Sequence, residues 1–127
     1  EGKRSDNRER EVSGMVQSLK SLAVDLGIPV VVAAQFSRAV QYRQSKEPLL
    51  SDYRESGGIE NEADVAMALY RPYKWDQSKP AHQAWLYVMK NRHGEEDCRE
   101  ELVWEPEVTR YRSAALPWEQ EPAGLPF

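Results

Sequence analysis

Apolar side chains recur every three or four positions through residues 8–26. This is the spacing of one face of an α-helix, which has about 3.6 residues per turn. Asp6 or Asn7 can cap the start of such a helix, Gly27 stands where a glycine commonly ends one, and Pro29 forbids continuation. The pattern therefore predicts an amphipathic helix with an apolar face made of Val12, Met15, Val16, Leu19, Leu22, Ala23 and Leu26.

Short apolar segments beyond this helix predict β-strands. Residues 30–34 are apolar at every position, as in a parallel strand that is buried on both faces. Residues 95–97 predict a turn that joins two later strands as a hairpin. A helix followed by a buried strand indicates an α/β fold. The predicted strands are 30–34, 65–70, 84–89, 99–104 and a short fifth at 109–112.

The remaining segments are polar or rich in proline. We expect a long loop over 36–53, a short helical turn over 58–63 and a loop over 71–80. Residues 113–127, SAALPWEQEPAGLPF, show no periodicity and predict a disordered tail behind a folded part of residues 1–112.

Length and charge limit the classes of protein. A chain of 127 residues forms one domain or part of one, and its first residue, Glu1, suggests a piece processed from a longer protein. A net charge of −4 argues against gripping DNA by bulk charge. No apolar run approaches about 18 residues, which predicts no membrane span. A lone cysteine, Cys98, and the absence of a visible signal peptide favour the cytoplasm.

Gln35 directly follows the predicted strand 30–34. In parallel α/β sheets, ligands bind beyond the carboxyl ends of strands, so Gln35 can face a bound phosphate or water. A glutamine that only satisfies the backbone of the next loop is the simpler interpretation, and both stay open.

Lys90 and Arg92 lie at the end of the predicted strand 84–89, in MKNRHG. Residues two apart on a strand face the same side, so both cations project together and can clamp phosphate charge. A solvated basic strand end is the alternative. A metal site is not expected, because two histidines and one cysteine stand at unrelated spacings.

The segment SDYRESGGIENEAD, residues 51–64, runs from a loop into a predicted helical turn. Gly57 and Gly58 permit positive φ and close backbone approach, and the helix start behind them offers free N–H groups to an anion. Arg54 adds a cation that Glu55 can orient. A plain glycine turn before a helix explains the same residues and, on the residues alone, is the better interpretation.

The order of these segments resembles one family. The residues Asn7-Arg8, IPVVVAAQFSR, EPLLSDYRESGGIENEADVAMALYR and KNRHG together look like the C-terminal half of the ATPase domain of bacterial DnaB-type replicative DNA helicases. The resemblance covers residues 7–112, and SDYRESGGIENEAD is its most specific part.

The resemblance implies a partial RecA-like (P-loop NTPase) fold in a hexameric ring around single-stranded DNA. Gln35 would be the sensor near the γ-phosphate, and Arg54, Glu55 and Gly57 would lie on the channel loop that touches the DNA backbone. Lys90 and Arg92 would reach in trans into the neighbour's nucleotide site, Arg92 as the arginine finger. It also implies ATP and Mg in the parent protein, primase and helicase loader as partners, and a cytoplasmic, nucleoid-associated location.

The sequence contains no G-x-x-x-x-G-K-[ST] phosphate loop. In the family this loop, the catalytic glutamate and the magnesium aspartate precede the matching part, so we expect the fragment alone to bind no cofactor and to be inactive. The alternatives are a non-catalytic helicase-derived module that binds DNA or docks on a helicase, and a related RecA-like ATPase of recombination, which the RESGG loop disfavours.

Overall fold

The computed structural model describes residues 2–53 and 57–115. Helix α1 spans Gly2–Leu26 and so begins earlier than predicted. Asp6 and Asn7 lie inside the helix rather than before it, so the predicted N-cap is wrong. The segment GKRSDN contains no proline, so nothing in its sequence forbids a helical backbone.

The end of α1 is the one predicted. Gly27 has a φ of 63°. Its amide donates to the Val24 carbonyl (3.2 Å), and the Ile28 amide donates to the Ala23 carbonyl (3.1 Å). This pair of hydrogen bonds is the Schellman arrangement, in which a left-handed glycine satisfies the last carbonyls of a helix.

Helix α2 spans Gly57–Glu62 and packs against α1. The predicted loop 36–53 contains two short 3₁₀ turns, Arg38–Tyr42 and Leu50–Asp52, and its ends pair in a single antiparallel bridge between Phe36 and Tyr53. A third 3₁₀ turn, Pro72–Lys74, lies in the predicted loop 71–80.

Four strands form one antiparallel sheet in the order β1-β2-β3-β4. The predicted hairpin is confirmed, because β2 and β3 pair from Gln83↔Val103 to Val88↔Cys98. The register of β1 against β2 shifts between Ala66 and Met67, which leaves Met89 without a partner in that ladder. The strands are β1 Val65–Tyr70, β2 Gln83–Asn91, β3 Cys98–Glu105 and β4 Arg110–Ser113.

The prediction of a buried parallel strand at 30–34 is wrong for this structure. The segment is in no strand, and Val31 and Val32 are 92% and 57% exposed. A strand needs a neighbour to complete its hydrogen-bond ladder, and no described residue pairs with this segment. Apolar composition alone therefore does not make the strand.

Strand β1 is buried on one face only, although a strand buried on both faces was predicted. Ala66 and Ala68 are 5% and 3% exposed, whereas Met67 and Leu69 are about half exposed. This alternation is typical of an antiparallel sheet with one covered face. The other buried apolar residues are Val40, Tyr53 and Ala84.

No described helix has the length and apolar character needed to cross a membrane. Ser113, the first residue of the predicted tail, belongs to β4. Residues 116–127, which make up most of that tail, lie outside the described residues.

Candidate nucleotide and DNA contact sites

Lys90 and Arg92 contact the C-terminal end of α2. The Lys90 Nζ donates to the carbonyls of Glu60 (2.6 Å) and Asn61 (3.5 Å), and the Arg92 Nη2 donates to the carbonyl of Asn61 (3.2 Å). The last carbonyls of a helix lack partners within the helix and carry partial negative charge, so two cations suit this place. The two side chains project together, as their spacing predicts, but they meet protein carbonyls here rather than solvent alone.

Asp64 completes this cluster between α2 and β1. Its Oδ1 accepts from the Arg92 Nη1 (2.9 Å), its carbonyl accepts from the Arg92 amide (2.8 Å), and its Oδ2 accepts from the Lys20 Nζ. The hydrogen bond from Lys20, followed by the charges of Lys20 and Arg92, lowers the pKa of Asp64 below its usual value. The ionised carboxylate therefore lies between a lysine on α1 and the predicted arginine finger.

The two glycines before this cluster have a packing role in the structure. Neither has a positive φ; among the described glycines only Gly27 does. A Cβ on Gly58 would lie 2.6 Å from the Ser13 Cα, and one on Gly57 would lie 3.2 Å from the Glu9 Oε1. Gly58 is therefore needed for the close contact of α2 with α1, and its sequence alone did not indicate this.

Arg54 and Glu55 of the predicted DNA loop lie outside the described residues, and Gly57 is the first residue of α2. The chain on either side of them is described. The rings of Phe36 and Tyr53 have their centroids 5.1 Å apart, and the Tyr53 hydroxyl donates to the Met67 carbonyl (2.6 Å). Tyr53, the residue directly before the loop, is therefore fixed to the sheet.

Gln35 immediately precedes the same closure. It is exposed, and no hydrogen bond of its side chain is found within 2–53 and 57–115. The Ser37 amide donates to the Asp52 carbonyl (2.7 Å), which extends the pairing of Phe36 with Tyr53. One closure therefore connects the predicted sensor at its entry with the predicted DNA loop at its exit, a connection that the sequence did not reveal.

An ion pair inside the loop 36–53 holds this closure. The Arg43 Nη1 and Nη2 donate to the two carboxylate oxygens of Asp52 at 2.6 and 2.9 Å. Arg43 also donates to the carbonyls of Ser45 and Glu47, and Asp52 accepts from the Leu49 amide (2.7 Å). A bidentate pair of this kind fixes both position and direction. The sequence analysis missed it, since nothing in a polar loop marks which charges will pair.

A groove next to β1 combines aromatic walls with cations. It encloses about 440 Å³. The Arg71 guanidinium lies 4.4 Å from the Trp104 ring centre, and its Nε is buried with no hydrogen-bond partner among the described residues. Aromatic and guanidinium planes stack on flat rings, and cations attract phosphate. The lining residues are Phe36, Val40, Lys46, Pro48, Leu69, Tyr70, Arg71, Lys74, Trp75 and Tyr111.

No group of three or more His, Cys, Asp or Glu side chains in the described ranges could hold a metal ion. This part of the chain therefore offers cations for phosphate charge but no ligand set for Mg²⁺.

A family model described as "DnaB-like helicase C terminal domain" matches residues 1–113. The chain belongs to this family. The predicted fold class, a partial RecA-like helicase ATPase fold, is confirmed, with the correction of segment 30–34 given above.

Two curated DnaB-family relatives illustrate the match. The chain is 47% identical over 89 residues to "Replicative DNA helicase DnaB" of Rickettsia conorii, covering 65% of this chain and 18% of that protein. It is 42% identical over 94 residues to "Replicative DNA helicase DnaC" of Bacillus subtilis, covering 73% and 21%. The chain thus spans about a fifth of the length of these relatives.

Solved structures of the DnaB family agree. A solved ATPase domain of a DnaB-like helicase superposes with a TM-score of 0.79 at 32% identity, covering 84% of this chain and 37% of that one. A "DnaB-Like Replicative Helicase", described with its interactions with primase, gives a TM-score of 0.77 at 33% identity, covering 82% and 25%.

Proposed function

We propose that this chain is a working part of an ATP-dependent replicative DNA helicase, which unwinds duplex DNA by moving along single-stranded DNA as a ring of six copies. Family membership over residues 1–113 supports the helicase assignment. The observation that carries the division of roles is the closure of the loop 36–53 by the Phe36–Tyr53 bridge.

This closure gives nucleotide sensing and DNA contact a common support. We assign Gln35 to the γ-phosphate and Arg54, Glu55 and Gly57 to the DNA backbone. A shift of Gln35 toward or away from a phosphate acts on the chain at Phe36, and the bridge and the Arg43–Asp52 pair transmit it to Tyr53. Backbone contact without base readout suits a protein that must travel along any sequence.

Lys90 and Arg92 act on the nucleotide of the neighbouring copy in this proposal, with Arg92 as the finger. The Arg92 side chain is 42% exposed, so a phosphate of a second chain can reach it. A guanidinium at this place stabilises charge that develops in the transition state. ATP and Mg are bound by the parent protein in segments outside this chain, and the 127-residue chain alone hydrolyses no ATP.

The groove around Arg71 is a further contact for a flat, anionic ligand, and the nucleotide base is the ligand that the proposed activity offers. The buried, unpartnered Nε of Arg71 favours this assignment, because an unsatisfied buried donor is costly unless a ligand completes it. Single-stranded DNA, primase and a helicase loader are the proposed partners of the assembled protein. A non-catalytic module that docks on a helicase is the alternative.

Mixed rings test the trans role of Arg92. In the intact protein, Arg92→Ala should reduce hydrolysis by about 10³-fold or more while nucleotide binding remains. Mixing these subunits with subunits that lack the phosphate-loop lysine should restore some hydrolysis, because some interfaces regain both groups. If mixed rings form but hydrolyse nothing even in a single turnover, Arg92 has no trans role. Unwinding by the intact protein decides between helicase and docking module.

A further inference from the structure

Asp64 is the residue that ties Arg92 to the rest of the domain. It lies in the short connection between α2 and β1, and it accepts hydrogen bonds from Arg92 through both its carboxylate and its carbonyl. Main chain and side chain of Arg92 are thus fixed to the same residue.

The guanidinium keeps donors for a second partner. The Arg92 Nη1 and Nη2 each donate once, to Asp64 and to the Asn61 carbonyl. A guanidinium has five N–H groups, so the remaining ones are available to a phosphate. The contacts within the domain and a contact in trans can therefore exist at the same time.

The carboxylate of Asp64 is itself held from the opposite side. Its Oδ2 accepts from Lys20 on α1, while its Oδ1 accepts from Arg92. With both oxygens in use, the carboxylate has one favoured orientation, and so does the guanidinium that it holds.

We infer that Asp64 is a positioning residue for Arg92, which presents the guanidinium to the neighbouring copy's phosphate in a fixed orientation. This inference rests on the proposed function of Arg92. An arginine has several rotatable bonds, so an unheld side chain would populate many orientations and meet the phosphate in few of them. The effect of Asp64 therefore belongs to the rate of hydrolysis and not to the affinity for nucleotide.

The test measures single-turnover hydrolysis and the Kd for ATP in the intact protein. Asp64→Ala should slow hydrolysis by about 10- to 100-fold, the range expected when a catalytic group is misplaced, and should change the Kd by less than about threefold. Asp64→Asn keeps one acceptor oxygen for Arg92 and should lose less. Ring assembly is checked for each variant, and if the alanine variant does not assemble, the asparagine variant decides.

Lys20→Ala is the matched control, because it removes the other contact of the Asp64 carboxylate without touching Arg92. It should retain hydrolysis within about threefold, since Arg92 keeps its partner. An equal loss in Lys20→Ala and Asp64→Ala would show that Asp64 acts by holding α1, which overturns the inference.

A double variant separates this inference from the proposed function. In an Arg92→Ala background, Asp64→Ala should add no further loss, because the group it positions is gone. A normal rate in Asp64→Ala with a large loss in Arg92→Ala overturns the inference alone. A normal rate in Arg92→Ala overturns both.

Discussion

The chain contains two Arg–Asp pairs that share their chemistry and differ in their surroundings. In the loop 36–53, Arg43 meets Asp52 through two contacts, and the side chains are 28% and 8% exposed. Where the end of β2 meets the connection between α2 and β1, Arg92 meets the Asp64 carboxylate through one contact, with side chains 42% and 43% exposed.

The difference separates a structural pair from one that is free to act. The buried, bidentate pair uses nearly all of its hydrogen-bonding groups within the loop, so removing one member leaves the other without compensation. The exposed pair contributes little to stability, because water screens it and can replace either partner. Its arginine keeps donors for a ligand. Burial, rather than residue type, thus decides which arginine can serve chemistry.

The largest effect on stability is expected at the buried pair. Asp52→Ala removes the carboxylate that Arg43 and the Leu49 amide share, and should lower the free energy of unfolding by about 3 kcal/mol. Urea denaturation at an unchanged m-value measures it. Asp52→Asn, which keeps acceptor and volume, should cost less. A loss below about 1 kcal/mol for the alanine variant would contradict the assignment of this pair as structural.

Close packing, rather than the exposed pair, should fix α2 at the second region. Gly58→Ala places a methyl group 2.6 Å from the Ser13 Cα, so a backbone has to move, at a cost of about 2 kcal/mol. Gly14→Ala is the control. It lies in α1 with nothing within 4 Å of an added Cβ and should stabilise by about 0.5–1 kcal/mol. Thermal unfolding of both variants measures the contrast, and equal effects would reject the packing role of Gly58.

Loss of the exposed arginine should be nearly neutral for folding. Arg92→Ala should change the free energy of unfolding by less than about 1 kcal/mol, in contrast to its expected effect on hydrolysis. The same urea experiment as for Asp52→Ala provides the measurement. A loss equal to that of the buried pair would mean that Arg92 is structural and that the two regions do not differ.

The smallest effect concerns the titration of Asp64. Its pKa is lowered from 3.8, mainly by the hydrogen bond from Lys20 and less by the charge of Arg92. A lowered carboxyl pKa gives stability that is present above the unfolded value and lost as the pH falls through the folded value, so the pair stays intact at neutral pH. Carboxyl carbon chemical shifts followed by NMR should titrate below pH 3.8. The midpoint should rise more in Lys20→Ala than in Arg92→Ala, and the reverse order would assign the wrong main partner.

Local features of the fold were predictable because their causes are local. The apolar spacing of residues 8–26 and Gly27 fixed the end of α1, and the turn at 95–97 placed the β2–β3 hairpin. The start of α1 was misplaced because polar residues can either cap a helix or lie in its first turns. The side-by-side cations Lys90 and Arg92 also followed from strand alternation.

The sequence by itself determined the family, the amphipathic helix, the strands 65–113 and the candidate residues at their ends, because periodicity and local order specify these. Only the tertiary structure decided that segment 30–34 forms no strand, since its hydrogen bonds depend on a neighbour that no described residue supplies. Only the tertiary structure gave Gly58 its contact with Ser13 and paired Arg43 with Asp52 and Arg92 with Asp64. Partners distant in sequence meet through the path of the whole chain, and burial is a property of the assembled fold.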